Sequence, residues 1–287
     1  MKKINFFALA LALLMGISFT SCLDSDNNAG YDAAGYVRVA SSMYGVQLKD
    51  LDGNRFLPTM ASLAALKQQG VDLTSSEYDL VYVYLKWVEE TANKTKAGEA
   101  RQVELVAASP VSKGKAFRQV NGMDELVVVN EAPVVTLLPS TGAGYGNTKP
   151  WLYGSELIVV PVHWRMKNDK DMLKQHTFTL NYVEGVSTNE QLQGNKTLAL
   201  YLLHDKGTDN EEKNKLVDAA NNFTFDIHDY LERYKMENGA YPTKVVVKAK
   251  INPDGYTLSV ASEGEDAEKV WTSFDVDMEL FNQMQKK

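Results

Sequence analysis

Four histidines are the residues of this chain best suited to binding a metal ion or to moving protons near neutral pH. They stand one in each of four separate segments: His163, His176, His204 and His228. The sequence holds no His-Glu-x-x-His motif, and its single cysteine, Cys22, lies far from all four. His163 and His176 could pair across a hairpin, and the other two, each followed by an aspartate, could approach each other. We nevertheless expect ordinary strand-end or surface histidines, and we expect neither a metal nor a cofactor.

Sequence patterns of covalent catalysis, phosphate binding and calcium binding are incomplete. No Gly-x-Ser-x-Gly elbow occurs. The glycine-rich run 142–146 lacks the Lys-Ser/Thr ending of a phosphate-binding loop, so we interpret it as a mobile loop. Asp205, Asp209, Glu211 and Glu212 form a local acidic cluster, but they lack the ligand order of a dedicated calcium loop. These patterns favour a protein that is not an enzyme.

Aromatic side chains suited to stacking against a ligand lie on the apolar segment 78–88. On a β-strand, Tyr82 and Tyr84 point to one face, whereas Trp87 points to the opposite face. The face with the tyrosines could form a platform of the kind that OB-type barrels offer to oligosaccharides. The alternative is that these rings fill the barrel or the domain junction. We take Tyr82 and Tyr84 as a candidate ligand-binding site.

A second candidate ligand-binding site follows the glycine-rich run. Trp151 and Tyr153 lie near the predicted junction of two domains, and loop aromatics beside glycines can adapt to a ligand while contributing apolar contact area. A cleft between domains is a common place for a ligand. The alternative is that both rings pin the domains together. Their exposure to solvent distinguishes the two cases, because fully buried rings cannot contact a ligand.

Cys22 carries the clearest chemical expectation, which is the attachment of lipid. Lys2 and Lys3 precede an apolar stretch that is too short to span a bilayer comfortably and is typical of an export signal. Residues 19–22, Phe-Thr-Ser-Cys, resemble a loose lipoprotein processing site. We therefore predict a signal peptide over 1–21 and lipid on Cys22. The alternative, ordinary signal-peptidase cleavage, would leave an unpaired thiol in an exported protein.

The residues after Cys22 predict where the protein resides. Residues 22–35 are small and polar with three aspartates, which is typical of a flexible tether. Asp24 and Asp26 resemble the acidic signal that sends Bacteroidetes lipoproteins to the outer face of the outer membrane. We expect a lipid-anchored protein of the outer membrane, exposed at the cell surface, with the periplasmic face as the alternative.

Composition and charge bound the possible partners. The chain has 287 residues, of which 44% are hydrophobic, so a folded core is expected, and a single cysteine allows no internal disulfide. Its formal net charge is −7, and loss of Lys2 and Lys3 with the signal peptide makes the mature chain more acidic still. An acidic surface repels phosphate backbones, so we expect no nucleic-acid partner.

The N-terminal half has the residue pattern of β-strands. Residues 36–39 alternate between apolar and polar, 52–54 are typical of a hairpin turn, and 78–88 form a long aromatic and β-branched strand. Residues 59–66 are the one short stretch there with a helical pattern. We predict an OB-like β-barrel domain over 36–125.

The second half shows strand-like segments at regular intervals, separated by turn residues. These segments are 156–164, 176–183, 196–203, 244–251 and 270–276. Such spacing suggests an antiparallel β-sandwich, which we place at 130–283, with the domain boundary between about 118 and 135. Short helices are predicted over 211–221 and 227–234.

The order and spacing of these segments resemble the NigD-like family of Bacteroidetes lipoproteins. The resemblance is carried by FTSCLDSDN at the anchor, by LKDLDGNRFLP and YDLVYVYLKWV in the first half, and by WLYGSELIVVPVHW, HTFTLNYVEG, KTLALYLLHD, FTFDIHDYL and KVVVKAKINPDGY in the second. It implies an all-β protein with an N-terminal OB-like β-barrel and a C-terminal antiparallel β-sandwich. It implies no established catalytic activity, and it transfers no site residues to this chain.

Together these observations predict a membrane-anchored, non-catalytic lipoprotein that binds a glycan, a peptide or a protein partner. Two alternatives stay open. A hydrolase of envelope or dietary glycans would need a pair of carboxylates about 5–9 Å apart in a cleft. A structural subunit of an envelope complex would leave a large apolar patch uncovered in the monomer.

Overall fold

The computed structural model describes residues 30–42, 45–88, 100–137, 149–184, 186–187, 196–211, 215–252 and 271–285. Cys22, the signal peptide and the glycine-rich run lie outside these residues. The chain divides into two compact units between Lys113 and Gly114, whereas the residue pattern predicts the division between about 118 and 135. We refer to the residues before and after this division as the first unit and the second unit.

In its described part, the first unit contains five strands and one helix. They are β1 (Ala33–Ser42), β2 (Gly45–Lys49), β3 (Arg55–Pro58), α1 (Met60–Gln68), β4 (Tyr78–Trp87) and β5 (Ala100–Lys113). Neighbouring strands follow the order β3-β2-β1-β4-β5, and β3 also pairs in parallel with β5, which closes the sheet. The predicted all-β, OB-like barrel is confirmed, although β1 begins inside the segment predicted as tether.

Alternation of side chains along the strands fills the barrel. Val37 of β1 and Val81 and Val83 of β4 are fully buried, and the residues between them point outward. Helix α1 adds Leu63 and Leu66 to the same core. A buried side chain of this size contributes about 1.5–3 kcal/mol relative to an exposed one, so the short apolar runs of the sequence suffice to hold the barrel without disulfides.

The turn between β2 and β3 is centred on a buried carboxylate. Asp50 Oδ1 accepts a hydrogen bond from Asn54 N at 2.8 Å, and Asp50 Oδ2 accepts one from Asn54 Nδ2 at 2.8 Å. Gly53 has a φ of +83°, in the left-handed region that favours glycine. The hairpin turn expected at 52–54 is therefore present.

In its described part, the second unit places eight strands in two layers. One layer has the order β11 (Leu216–Asp226), β8 (Leu157–Lys167) and β7 (Trp151–Tyr153). The other has the order β13 (Trp271–Asp275), β12 (Lys244–Lys250), β10 (Thr197–Asp205), β9 (Thr177–Val183) and β6 (Ala116–Val120). The helices are α2 (Lys170–Leu173), α3 (His228–Asn238) and α4 (Glu279–Met284). None of the described helices combines the length and the apolar character that crossing a bilayer requires.

The core of the second unit lies between these two layers. Trp164 of β8 and Phe178 of β9 are buried, and their rings meet edge to face with centroids 5.0 Å apart. Leu200 of β10, Val247 of β12 and Leu231 of α3 belong to the same buried cluster. Two layers packed on one apolar core confirm the predicted sandwich.

Two strand pairs of the five-stranded layer are parallel. β10 pairs in parallel with β12, and β6 pairs in parallel with β9, whereas β9–β10 and β12–β13 are antiparallel. Between β10 and β12 the chain crosses to the other layer as β11 and returns through α3. A crossover of this kind brings the next strand back in the same direction, which gives the layer a mixed character beyond the antiparallel pattern of the prediction.

One of the two predicted short helices is present, and the prediction of the other is wrong. The prediction over 227–234 is confirmed by α3. Of the segment 211–221, predicted as a helix, residues 212–214 lie outside the described residues. Residues 216–221 instead belong to β11, which pairs with β8 from Leu216–Lys167 to Asp226–Leu157. Eleven residues of continuous ladder outweigh the weak helical preference of this polar segment.

Gly114, the first residue of the second unit, lies against β11. Its backbone N donates a hydrogen bond to Thr224 O at 2.8 Å. A Cβ atom added at this position would lie 2.1 Å from Phe225 Cε1. Glycine is required here by the close approach of an aromatic ring.

Candidate functional site

Four tyrosines form a continuous cluster on the outside of the barrel, which we call the tyrosine face. Its members are Tyr31, Tyr36, Tyr82 and Tyr84. Ring centroids are 5.0 Å apart for Tyr36 and Tyr82, 5.4 Å for Tyr82 and Tyr84, and 4.9 Å for Tyr84 and Tyr31. All three contacts are edge to face, a geometry that contributes about 0.5–1.5 kcal/mol per pair beyond burial. The rings are therefore held in place before any ligand arrives.

Strand pairing explains why these tyrosines meet. In the antiparallel pair β1–β4, Tyr36 lies opposite Tyr82 and Ala34 lies opposite Tyr84. Val83, between the two tyrosines of β4, points into the barrel core. The alternation that fills the barrel thus also places Tyr36, Tyr82 and Tyr84 together on its outside, and Tyr31, just before β1, packs against Tyr84.

Small side chains flank the tyrosine face. Tyr84 lies between Ala34 of β1 and Ala107 of β5, and Tyr82 has Ser109 opposite it on β5. Alanine and serine do not extend far enough to cover a neighbouring aromatic ring. The side chains at these flanking positions are therefore too short to cover the rings of Tyr82 and Tyr84.

The hydroxyls of Tyr82 and Tyr84 remain protonated at physiological pH. All four tyrosines are half-buried. Burial raises the pKa of Tyr82 to about 12, with further contributions from Tyr84 and Tyr31. Burial, followed by Tyr31, also raises the pKa of Tyr84. The tyrosine face thus presents apolar rings together with neutral O–H groups.

The second predicted ligand site lies within the fold. Trp151 and Tyr153 stand on β7, with only 5% and 3% of their surfaces exposed. Trp151 also forms a parallel bridge with Asp277, and Leu152 N donates to Asp277 O at 2.9 Å. Neither ring offers surface to a ligand here, so Tyr82 and Tyr84 are the predicted ligand-binding residues that remain accessible.

Buried polar residues form a second cluster, which lies in the second unit. His176 Nδ1 and His204 Nε2 are 2.8 Å apart, His176 Nε2 is 3.0 Å from Asp209 Oδ2, and His204 Nδ1 is 3.3 Å from Pro133 O. We call Asp209, His176, His204 and Pro133 the histidine chain. The side chains of His176 and Asp209 have no exposed surface, and His204 exposes 2%.

Hydrogen bonds hold Asp209 in its ionised form. Its Oδ2 accepts from Lys167 N at 2.8 Å, its Oδ1 accepts from Glu211 N at 3.0 Å, and His176 is the third partner. Burial raises the pKa of Asp209, but these bonds together outweigh burial and lower it below its ordinary value. The carboxylate is therefore a charged acceptor inside the fold.

Burial keeps both imidazoles neutral. Burial, with a smaller contribution from the neighbouring His176, lowers the pKa of His204 to about 3. Burial also lowers the pKa of His176, although Asp209 opposes this effect. Neither ring carries a charge at neutral pH.

The contact between the two histidines was not visible in the sequence. Both stand at strand ends, as expected, but they are buried and face each other because β9 and β10 are antiparallel neighbours, with His204 opposite Phe178. His163 instead lies 3.0 Å from Asp218, and His228 lies 3.3 Å from Ser155 O. Within the described ranges, no group of three or more His, Cys, Asp or Glu side chains is arranged to hold a metal ion.

Comparisons with known proteins bear on the fold. No protein-family model and no curated protein matches the chain. A solved structure of a candidate lipoprotein from Bacteroides fragilis NCTC 9343 is 22% identical and covers 85% of this chain and 96% of that one, with a TM-score of 0.58. A NigD-like immunity protein from Bacteroides caccae ATCC 43185 is 12% identical and covers 84% of this chain and 96% of that one, with a TM-score of 0.44.

The match to the Bacteroides fragilis structure shows a shared fold over most of both chains. At 22% identity it establishes the fold alone. The expected likeness to Bacteroidetes lipoproteins is confirmed at the level of the fold.

Proposed function

We propose that this chain is a lipid-anchored, non-catalytic binding protein and that the tyrosine face is its ligand surface. The observation that carries the proposal is the ordered cluster of four half-buried tyrosines on the outside of the barrel. The competing interpretation was that these aromatics fill the barrel or the domain junction, and the structure bears on the first of these. Val81 and Val83 occupy the interior instead, so Tyr82 and Tyr84 are not needed as barrel core.

The ligand class that best fits this surface is a neutral glycan. A sugar ring offers C–H groups on its face and hydroxyls around its rim, so it can use aromatic rings and phenolic O–H groups together. With its pKa at about 12, Tyr82 presents a neutral hydroxyl that can both donate and accept. The use of OB-type barrels by oligosaccharide-binding proteins supports this choice by analogy only.

We propose a non-catalytic role because the residues of the tyrosine face are suited to binding a ligand rather than to reacting with it. A general base must be unprotonated near the working pH, which requires a pKa close to that pH. Burial instead raises the pKa of Tyr82 and of Tyr84, away from neutral pH. A phenol that stays protonated binds through its ring and its hydroxyl. We infer that a ligand leaves this surface chemically unchanged.

The proposed location rests on the sequence at the anchor. Export signal, Cys22 and the acidic tether residues support lipid attachment at the outer membrane with the units facing outward. The Bacteroides fragilis protein that shares the fold is itself classed as a candidate lipoprotein. A cell-surface position would bring the tyrosine face to glycans outside the cell, and a periplasmic position would restrict it to glycans of the envelope.

Calorimetric titration of the full lipid-bearing protein in detergent with neutral tetra- to hexasaccharides tests the proposal. Replacing Tyr84→Ala removes one ring from the middle of the cluster, and loss of about 1.4 kcal/mol of contact would weaken binding about tenfold. Tyr84→Phe keeps the ring and should retain most of the affinity. Leu57→Ala is the matched control, because Leu57 is an exposed apolar residue of the same barrel.

Three outcomes would contradict the proposal. Binding that Tyr84→Ala leaves unchanged would remove the tyrosine face as the site. Release of reducing ends from the oligosaccharides would favour the glycan hydrolase. Absence of sugar binding, together with specific capture of a peptide or an envelope protein by the unmodified chain but not by Tyr84→Ala, would replace the glycan by that partner.

A further inference from the structure

The histidine chain holds fewer hydrogens than its contacts require. Both of its ends, the Asp209 carboxylate and the Pro133 carbonyl, can only accept hydrogen bonds. Three contacts join these ends through two imidazoles, and each contact needs one hydrogen. Two neutral imidazoles supply only two N–H groups. One contact is therefore without a hydrogen whenever both rings are neutral.

The hydrogen-bond partners identify the incomplete contact. Asp209 is ionised, so the hydrogen of His176 lies on Nε2 and points at the carboxylate. His176 Nδ1 must then accept, and the hydrogen of His204 lies on Nε2. His204 Nδ1 is left bare opposite Pro133 O, and this contact, at 3.3 Å, is the longest of the three.

We propose that the histidine chain is a pH-sensitive fastening, a set of contacts that joins separate segments at one end of the second unit. It holds while both imidazoles are neutral and opens when the histidine chain takes up a proton in acid. The proton would enter at His204 Nδ1 and complete the contact to Pro133. It would also place a cation among aromatic rings. One hydrogen bond contributes about 0.5–1.5 kcal/mol net, whereas a charge left in an apolar core costs several kcal/mol. Opening is thus favoured because it returns the imidazolium to water.

The fastening joins chain segments that are distant in sequence. Ala132 N donates to His204 O at 3.0 Å, and Lys206 N donates to Asn130 O at 2.9 Å. Asp209 in turn accepts from Lys167 N at the end of β8. Opening of the histidine chain would therefore release the segment 130–133 and the loop 206–211 together.

The surroundings of the two rings decide the direction of the pH response. Beyond Asp209, the charges that act on His176 are Lys206, which disfavours the imidazolium, and Asp205, which favours it. The neighbouring strands contribute aromatic rings that do not titrate: Trp164 of β8, Phe178 of β9 and Phe223 of β11. Among the described residues, Asp209 is the one carboxylate hydrogen-bonded to either imidazole.

Nuclear magnetic resonance of the isotope-labelled full mature chain in detergent, recorded across a pH series, tests the proposal directly. We expect both His176 and His204 to be neutral at neutral pH, with the hydrogen on Nε2. We expect them to remain neutral as the pH falls below 6.5. As they titrate in stronger acid, the amides of Ala132 and Lys167 should lose about tenfold or more of their protection from exchange. The indole resonance of Trp164 should shift in the same pH range, because the indole lies beside both imidazoles.

Variants provide the matched comparison. Asp209→Asn removes the anion that favours the imidazolium, so the pair should titrate at least about one pH unit lower. His228→Gln alters an exposed histidine and should leave the pair unchanged. Should Asp209→Asn fail to fold, the unmodified chain alone still decides the matter. A hydrogen on His204 Nδ1 at neutral pH, titration of the pair at or above pH 6.5, or amide protection that persists after titration would overturn the proposal.

Discussion

His204 makes the stability of the second unit sensitive to acid. Burial lowers its pKa to about 3 from an ordinary value of 6.5, so below pH 6.5 the unfolded chain gains a proton at this residue that the folded chain does not. The stability associated with the neutral ring is complete above pH 6.5 and is lost as the pH falls toward 3. We expect the free energy of unfolding, measured with urea, to fall by on the order of 1 kcal/mol per pH unit in that interval.

A shape-matched variant isolates this contribution. His204→Phe can keep the stacked contact with Phe178, whose ring centroid lies 4.6 Å away, but it cannot titrate. Its unfolding free energy should depend less steeply on pH than that of the unmodified chain. An unchanged slope in His204→Phe would assign the acid sensitivity to other groups, and His228→Gln should retain the slope.

Single residues show where sequence reasoning about the site succeeded and where it ended. The period of a β-strand was enough to put Tyr82 and Tyr84 on one face of β4 and to turn Trp87 toward the barrel core. Tyr36 could not be added, because it joins the cluster through the register between β1 and β4. The histidine chain depends on register in the same way, and a sequence without a motif does not reveal which strand ends meet.

The entry into the second unit depends on the missing side chain of Gly114. A methyl group there would collide with the ring of Phe225, which is buried in the core and cannot move freely. We expect Gly114→Ala to destabilise the protein by about 1–3 kcal/mol, measured by urea unfolding. Adding Phe225→Leu should recover part of the loss relative to Phe225→Leu alone. Equal costs of Gly114→Ala in both backgrounds would show that this ring is not the obstacle.

Strands were predictable where their pattern is strong, and errors arose where pairing overrides the local pattern. Apolar runs such as 156–164 and 244–251 become β8 and β12 because both are buried in the sandwich. The polar segment before Asn222 was predicted as a helix because its strand character comes from β8, its neighbour. Parallel pairing of β10 with β12 was equally hidden, since it results from a crossover through α3 that no local pattern encodes.

For the molecule as a whole, Cys22 determines the predicted attachment to the membrane. We expect cells supplied with a fatty-acid probe to label the unmodified protein, and Cys22→Ala to lose both the label and the membrane association. Several acyl chains together hold a protein on a bilayer, since each buried CH₂ contributes about 0.8 kcal/mol. Ser21→Ala, beside the same site, should still be labelled. A Cys22→Ala protein that still takes up the label normally would show that the lipid is attached at another residue.

The parallel pairs of the second unit affect the order in which an exported chain can fold. Every strand pair that closes the barrel lies before Lys113, so the barrel is complete in sequence while much of the chain has yet to emerge. β6 must wait about sixty residues for β9, and β10 must wait for β12. Until then their edges stay open to pairing with other chains. The slow, aggregation-sensitive stage of folding therefore belongs to the second unit.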